Sequence, residues 1–111
     1  MKRYCLALDL IDDPKLIEAY EHWHKAGNGW PEIRENITRC GILDMQIYRS
    51  GNRLTMIMET LDDFTFEEQA KLMSANPKVQ DWEKMMSGYQ QPLPWAKPGE
   101  KWLVMDQIFQ L

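Results

Sequence analysis

The sequence predicts an α+β fold in which one antiparallel sheet carries helices on one face. Three observations lead to this prediction. Residues Lys2–Leu10 alternate between two kinds of side chain, as a half-buried strand does. Asp13-Pro14 and Asn76-Pro77 each combine an N-cap residue with a proline, which is typical of a helix start. Ser50-Gly51-Asn52 separates two alternating segments and predicts a β-hairpin.

Length and composition limit the class of protein. The 111 residues are enough for one hydrophobic core, and we treat residues 1–111 as a single domain. A content of 44% hydrophobic and 27% charged residues is typical of a soluble globular protein and argues against intrinsic disorder. No apolar run approaches the roughly 20 residues that span a bilayer. The net charge of −4 and the scattered basic residues argue against nucleic acid and membrane as partners.

The N-terminus and the cysteines indicate a cytoplasmic protein. The opening segment ends in Asp12-Asp13-Pro14 and not in the small residues of an export cleavage site. Cys5 and Cys40 form no Cys-x-x-Cys pair, and two cysteines cannot cross-link a fold of this size. We therefore expect both to be reduced thiols.

The first half of the chain predicts a strand, two helical segments and the hairpin. The first helix is expected over residues 14–26, because Gly27-Asn28-Gly29 then breaks it. A second helical segment is expected over residues 30–40, with Gly41 as its C-terminal cap. The hairpin strands are expected over residues 42–49 and 53–60.

The second half predicts two more helices and a last strand. The helices are expected over residues 64–74 and 77–87, with Gly88 ending the second. Residues 89–101 contain three prolines and are expected to form an ordered surface crossing. Residues 102–109 alternate again and predict the last strand.

This β-α-β-β-α-β order, with each α divided in two, is the ferredoxin-like pattern. Such a sheet leaves its second face bare, and we expect that face to carry large Met, Leu and Tyr side chains. A bare apolar face commonly pairs with a second copy of the same chain. The sequence therefore predicts a homodimer whose two sheets enclose a barrel or cavity.

Tyr20 and His24 are the first candidate functional pair. Four residues apart on a helix, they lie on one face. Histidine suits acid–base catalysis near neutral pH, and a phenol beside it can hydrogen-bond a hydroxyl group. The same spacing is also found in partly buried pairs that only satisfy each other, and both interpretations stay open here.

We expect neither a metal nor a cofactor. His22 and His24 are two residues apart, so on a helix they point roughly 200° apart and cannot chelate one ion. The sequence contains no phosphate-binding loop, nucleophile elbow or dinucleotide fingerprint.

Aromatic, methionine and acidic side chains are further candidates for a binding site. The five tryptophans offer flat apolar surfaces to a sugar ring, or serve the core and an interface. Met45, Met56 and Met58 line a cavity or fill the core. Glu59, Glu83 and Asp106 lie in or beside apolar elements, where a carboxylate binds sugar hydroxyls or is solvated.

Several segments together resemble the L-rhamnose mutarotase family, which includes L-fucose mutarotase-like members. The most specific are Tyr20-Glu-His-Trp-His24 and Trp30-Pro31-Glu32. The resemblance continues through the hairpin and Asn76-Pro-Lys-Val-Gln-Asp-Trp82 to the last strand, and it covers nearly the whole chain. It implies a dimeric α+β barrel and a cofactor-free isomerase of carbohydrate and rhamnose metabolism that interconverts sugar anomers.

The resemblance also implies roles for particular residues. The residue matching Tyr20 binds the sugar, the one matching His24 is a proton donor, and the one matching Trp82 contacts the substrate. Met45 stands where the rhamnose enzyme has a substrate-binding tyrosine, and Glu83 where it has a second tryptophan. The stretch between His24 and the next tryptophan is two residues longer. The expected substrate is a 6-deoxy-L-sugar, L-rhamnose or L-fucose.

We hypothesise that protonated His24 donates to the ring oxygen, Tyr20 orients a hydroxyl group and Trp82 packs on the ring. The expected base is Glu83, Glu59, water or a residue of the partner chain. The full set of predicted substrate-binding residues is Tyr20, Trp30, Met45, Met58, Trp82 and Glu83. Two other functions are compatible with the same fold, namely a cofactor-free monooxygenase acting on aromatic substrates and a non-catalytic sugar-binding domain.

Overall fold

The computed structural model describes residues 1–111 and contains five strands and four helices. The strands are β1 (Lys2–Leu10), β2 (Ile42–Ser50), β3 (Arg53–Thr60), β4 (Gln90–Gln91) and β5 (Leu103–Val104). The helices are α1 (Pro14–His24), α2 (Pro31–Arg39), α3 (Phe66–Ser74) and α4 (Pro77–Ser87). This element order confirms the α+β prediction and the division of each α into two helices. None of the four helices is long and apolar enough to cross a membrane.

Local sequence signals set the helix starts. The Asp13 carboxylate accepts hydrogen bonds from the backbone N–H groups of Lys15 (2.9 Å) and Leu16 (3.2 Å). The Asn76 side chain accepts hydrogen bonds from the N–H groups of Lys78 (3.1 Å) and Val79 (3.4 Å). These contacts satisfy donors that the first helical turn leaves unpaired. Both predicted N-caps are therefore confirmed.

Two predicted helix ends are wrong by two residues. Helix α1 ends at His24, because Lys25 already has an extended backbone. Helix α3 begins at Phe66, because Thr65 is its N-cap and accepts a hydrogen bond from the N–H of Glu68 (3.1 Å). Phe64, which we expected inside the helix, is buried in the core just before the cap.

The sheet has the order β2-β3-β1-β4, and every pair is antiparallel. Two short strands share the outer edge of β1: β4 pairs at Asp9 and Leu10, and β5 pairs at Leu6 and Ala7. The predicted last strand over residues 102–109 is therefore wrong beyond the first few residues. Alternation describes a pattern, but a strand also needs a partner along its whole length. After Val104 the chain makes only one further backbone bond to β1.

The two faces of the sheet differ in a way opposite to our expectation. The methionine and leucine side chains of the central strands point toward the helices, where they are buried: Leu6, Leu8, Leu10, Leu54, Met56 and Met58. The other face carries mainly polar and small side chains, together with Ile57 and Tyr48. Asp9 there accepts two hydrogen bonds from Arg53, whose guanidinium lies 5.3 Å from the ring centre of Trp95. The helices cover the more apolar face because its burial contributes more free energy.

The core consists of two clusters at opposite ends of the covered face. The methionine cluster contains Leu6, Cys40, Ile42, Met56, Met58 and Phe64. The tryptophan cluster contains Leu10, Tyr20, Leu54, Trp82 and Met86. Ile47 and Trp102 pack against both clusters and connect them.

Candidate functional site

A cavity of about 760 Å³ lies between the covered face of the sheet and the helices. This volume is within the usual range of small-molecule sites. Seven residues predicted to be catalytic or substrate-binding lie in its wall, namely Tyr20, His24, Trp30, Met45, Met58, Trp82 and Glu83. The fold thus brings them together from α1, α4, the hairpin and the start of α2, while their individual roles stay predictions.

Tyr20 and His24 lie side by side on α1. Their rings are stacked, with centroids 4.2 Å apart and planes 28° apart. His24 Nδ1 lies 2.7 Å from the backbone oxygen of Tyr20. Because a carbonyl oxygen can only accept, Nδ1 carries the hydrogen and donates it. Nε2 is consequently the ring nitrogen with a free lone pair.

The surroundings of His24 favour its neutral form. Partial burial lowers the pKa of His24 below its usual value of 6.5, and the hydrogen bond to Tyr20 opposes this shift. The neutral imidazole therefore predominates at pH 7, and its Nε2 can accept a proton. This resting state differs from the protonated donor that we hypothesised from the sequence.

The Tyr20 hydroxyl group keeps its proton. Burial raises the pKa of Tyr20 to about 12, the nearby side chain of Gln90 opposes this shift, and the negative charge of Glu83 adds to it. Only 4% of Tyr20 is exposed. A phenol in this state donates a hydrogen bond at every physiological pH.

Trp82 lies at the centre of an aromatic wall. Its ring centroid lies 5.3 Å from that of Trp30, 6.1 Å from that of Trp23 and 6.0 Å from that of His24. All three contacts are edge-to-face, an arrangement that leaves flat, rigid apolar surface. Trp82 belongs to the core and also lines the cavity, so its place in the core is confirmed while its contact with a sugar stays a prediction.

The acidic candidates separate clearly. Glu83 on α4 lines the cavity and pairs with Lys101 at 3.2 Å. Glu59 lies on the opposite face of the sheet, where it pairs with Arg3 at 3.1 Å. Asp106 is exposed in the C-terminal tail. Of the three, Glu83 alone lines the cavity.

Sequence reasoning missed a contribution from the segment that precedes β5. Residues 99–102, including Lys101, line the cavity. Pro98-Gly99 predicts a tight turn there. Lys101 follows that turn, and this was the one signal in the sequence for a contribution of the segment to the site. Arg34 of α2 also reaches the cavity and was not singled out. No three His, Cys, Asp or Glu side chains lie close enough together to hold a metal ion.

Comparisons with known proteins found matches to one enzyme family over nearly the whole chain. A family model described as L-rhamnose mutarotase matches residues 3–111. An L-fucose mutarotase from Xanthomonas campestris pv. campestris is 40% identical over 111 residues, which cover all of this chain and 89% of that protein.

Two solved structures share the fold. The L-rhamnose mutarotase from Formosa agariphila superposes with a TM-score of 0.70 at 19% identity, over 100% of this chain and 99% of that one. Tetracenomycin F2 cyclase from Streptomyces glaucescens, a type-II polyketide cyclase, superposes with a TM-score of 0.61 at 15% identity, over 100% of this chain and 99% of that one. Both confirm the predicted fold class.

Proposed function

This chain belongs to the L-rhamnose mutarotase family and is a sugar mutarotase, an isomerase; we propose that its substrate is a 6-deoxy-L-sugar, L-fucose or L-rhamnose. The observation that carries this proposal is the cavity in which Tyr20, His24 and Trp82 meet. A pyranose ring has an apolar C–H face and a rim of hydroxyl groups. The aromatic wall of the cavity suits the apolar C–H face of the ring, and the polar side chains suit its hydroxyl groups.

The proposed chemistry needs one proton removed and one added. In mutarotation the anomeric hydroxyl loses a proton, the bond between C1 and the ring oxygen breaks, and the ring oxygen gains a proton. Both oxygens are attached to C1, so one nitrogen reaches them in turn. Neutral His24 Nε2 takes the proton from the anomeric hydroxyl and returns it, as imidazolium, to the ring oxygen.

Ring closure on the other face of the aldehyde reverses these steps and gives the second anomer. His24 thus acts first as a base and then as the proton donor that the family resemblance implies. A positioned acid–base group of this kind accelerates a reaction roughly 10²–10⁴-fold. The protonated Tyr20 hydroxyl group donates a hydrogen bond to a sugar oxygen, and Trp82 packs on the ring.

A homodimer is also proposed. The tail after Val104 leaves large apolar side chains in water, since Ile108 is 94% and Phe109 is 75% exposed. The outer edge of β2 is unpaired and also exposes Tyr48. A second copy of the chain would cover both features, and analytical ultracentrifugation would then give twice the chain mass at micromolar concentration. A cytoplasmic location is proposed because Cys5 and Cys40 are both free thiols.

The decisive experiment is magnetisation transfer between the anomeric proton signals of a sugar, with and without the protein. L-fucose, L-rhamnose and D-glucose would be compared. Faster exchange for a 6-deoxy-L-sugar supports the proposal and identifies the substrate. Unchanged exchange together with quenching of tryptophan fluorescence by the sugar would indicate a binding domain. Oxygen uptake with a phenolic substrate would indicate a monooxygenase.

A further inference from the structure

We infer that Lys101 is a positioning residue that holds the Glu83 carboxylate at the cavity wall, where its free oxygen accepts a hydrogen bond from one sugar hydroxyl group. The inference rests on the proposed function, since it assigns a specificity element to the same cavity. It concerns the segment over residues 97–102, which we call the strap.

The strap begins with a turn that its own residues stabilise. The N–H of Glu100 donates to the carbonyl oxygen of Lys97 at 3.0 Å, and the Glu100 carboxylate accepts from the N–H of Lys97 at 2.7 Å. Gly99 has a φ of +87°, which favours glycine, and Pro98 precedes it. Proline followed by glycine with positive φ is the pattern of a type II turn. The backbone conformation of this turn is thus stabilised by residues of the strap itself.

The other end of the strap is tied to α4 by a single side chain. Lys101 Nζ lies 2.7 Å from Ser87 Oγ, 3.3 Å from the backbone oxygen of Glu83 and 3.2 Å from Glu83 Oε2. An ammonium group has three hydrogens, and three acceptors are present. The site lies at the C-terminal end of α4, where the helix dipole favours a cation. Trp102 follows at once and packs into both core clusters.

The contact with Lys101 engages only one oxygen of the Glu83 carboxylate. Oε2 faces the ammonium group, while Oε1 makes no hydrogen bond within the protein. Both side chains line the cavity, and each is about one-third exposed (34% and 33%). An ion pair this exposed contributes little to stability. Its main consequence is geometric: it keeps a charged acceptor in one orientation at the wall of the cavity that Tyr20 also lines.

A carboxylate in this position selects ligands that carry a hydrogen-bond donor. A sugar hydroxyl group fits, and the charged acceptor makes the hydrogen bond stronger than one between neutral groups. A sugar that lacks this hydroxyl group leaves Glu83 Oε1 without a partner, which lowers its affinity. The strap and Glu83 together therefore make the affinity for the substrate depend on one of its hydroxyl groups.

The test compares Lys101→Met with Lys97→Met, a matched control on the same strap whose side chain makes no ion pair. Anomer exchange of the best substrate and of its monodeoxy analogues gives kcat and KM for each variant. We expect Lys101→Met to raise KM about 10-fold with kcat changed by no more than about twofold. Lys97→Met should match the wild type. Glu83→Gln should resemble Lys101→Met, and the double variant should be no worse than either single variant.

The analogues add a second comparison. One monodeoxy analogue should have a KM about 10-fold higher than the parent sugar in the wild type, and the same KM as the parent in Lys101→Met. Amide hydrogen exchange over residues 97–102 should also become faster in Lys101→Met and stay unchanged in Lys97→Met.

Equal KM values for Lys101→Met and wild type, or an equal loss for every analogue, would overturn the inference while leaving the proposed function intact. If wild-type protein accelerates no sugar, the proposed function fails. The comparison of variants is then made on dissociation constants from tryptophan fluorescence, where equal affinities would overturn the inference as well.

Discussion

The methionine cluster and the tryptophan cluster pack on one sheet but differ in the kind of side chains that they contain. The methionine cluster contains aliphatic, thioether and phenyl side chains, and its only titratable group is the buried thiol of Cys40. The tryptophan cluster contains Tyr20 and adjoins His24 and Glu83. One end therefore contributes an apolar wall and stability, while the groups proposed to carry the chemistry lie near the contact of α1 with α4. Function here depends on which end of a common core carries the polar groups.

The variant His24→Ala gives the strongest test of whether the groups beside the tryptophan cluster carry the activity. Loss of the proposed acid–base group should lower kcat about 10²–10⁴-fold without unfolding the protein. His22→Ala is the matched control, because it removes an exposed imidazole from the same helix. Anomer exchange and thermal unfolding would be measured for both variants. Full activity in His24→Ala would exclude the assignment.

The methionine cluster should show the opposite behaviour. Phe64 is 3% exposed in that cluster and does not line the cavity. Phe64→Ala should lower the free energy of unfolding by about 3–5 kcal/mol because it leaves a void in a packed core. The kcat of the folded fraction should stay at the wild-type value. Urea titration and anomer exchange test the two statements separately, and a large loss of kcat would show that the two ends are coupled.

The dependence on pH distinguishes the two possible starting states of His24. Since burial lowers the pKa of His24 below 6.5, its neutral form prevails at pH 7. As the pH falls through that lowered pKa, kcat/KM should decrease about tenfold per pH unit. No decline is expected on the alkaline side below about pH 10, because the pKa of Tyr20 is raised to about 12.

The measurement is the enzymatic rate after subtraction of spontaneous exchange at each pH. A rate that rises as the pH falls would instead identify the imidazolium as the active starting form.

The smallest effect concerns the helix that carries the candidate pair. Asp13→Ala removes the N-cap of α1 and should cost about 1 kcal/mol of unfolding free energy. Asn76→Ala at α4 should cost about the same, since the two caps have the same geometry. Neither variant should change kcat when the protein is folded. Chemical denaturation tests both, and a selective loss of kcat in Asp13→Ala would mean that the start of α1 tunes the position of Tyr20 and His24.

Much of the fold could be predicted because its signals are local. The N-caps, the prolines and Gly41, which has a φ of +90°, act within one turn of their own residues. Strand β1 was predicted with its observed bounds. The last strand was not, because the chain leaves the edge of β1 after Met105 although β4 occupies only the other end of that edge, at Asp9 and Leu10. The orientation of the sheet faces was likewise wrong, since alternation separates two faces without saying which of them the helices cover.

The same distinction between local signals and tertiary contacts applies to the candidate site. The i, i+4 spacing of Tyr20 and His24, together with the family resemblance, determined from the sequence alone which side chains meet on α1. Only the tertiary structure decided that His24 is neutral with Nε2 free, that Glu59 lies on the far face and that Lys101 holds Glu83. Protonation, burial and ion pairing depend on groups that are distant in sequence and close in space. Spacing along the chain reports the faces of single helices and strands, whereas the state of a side chain is set by what the fold places against it.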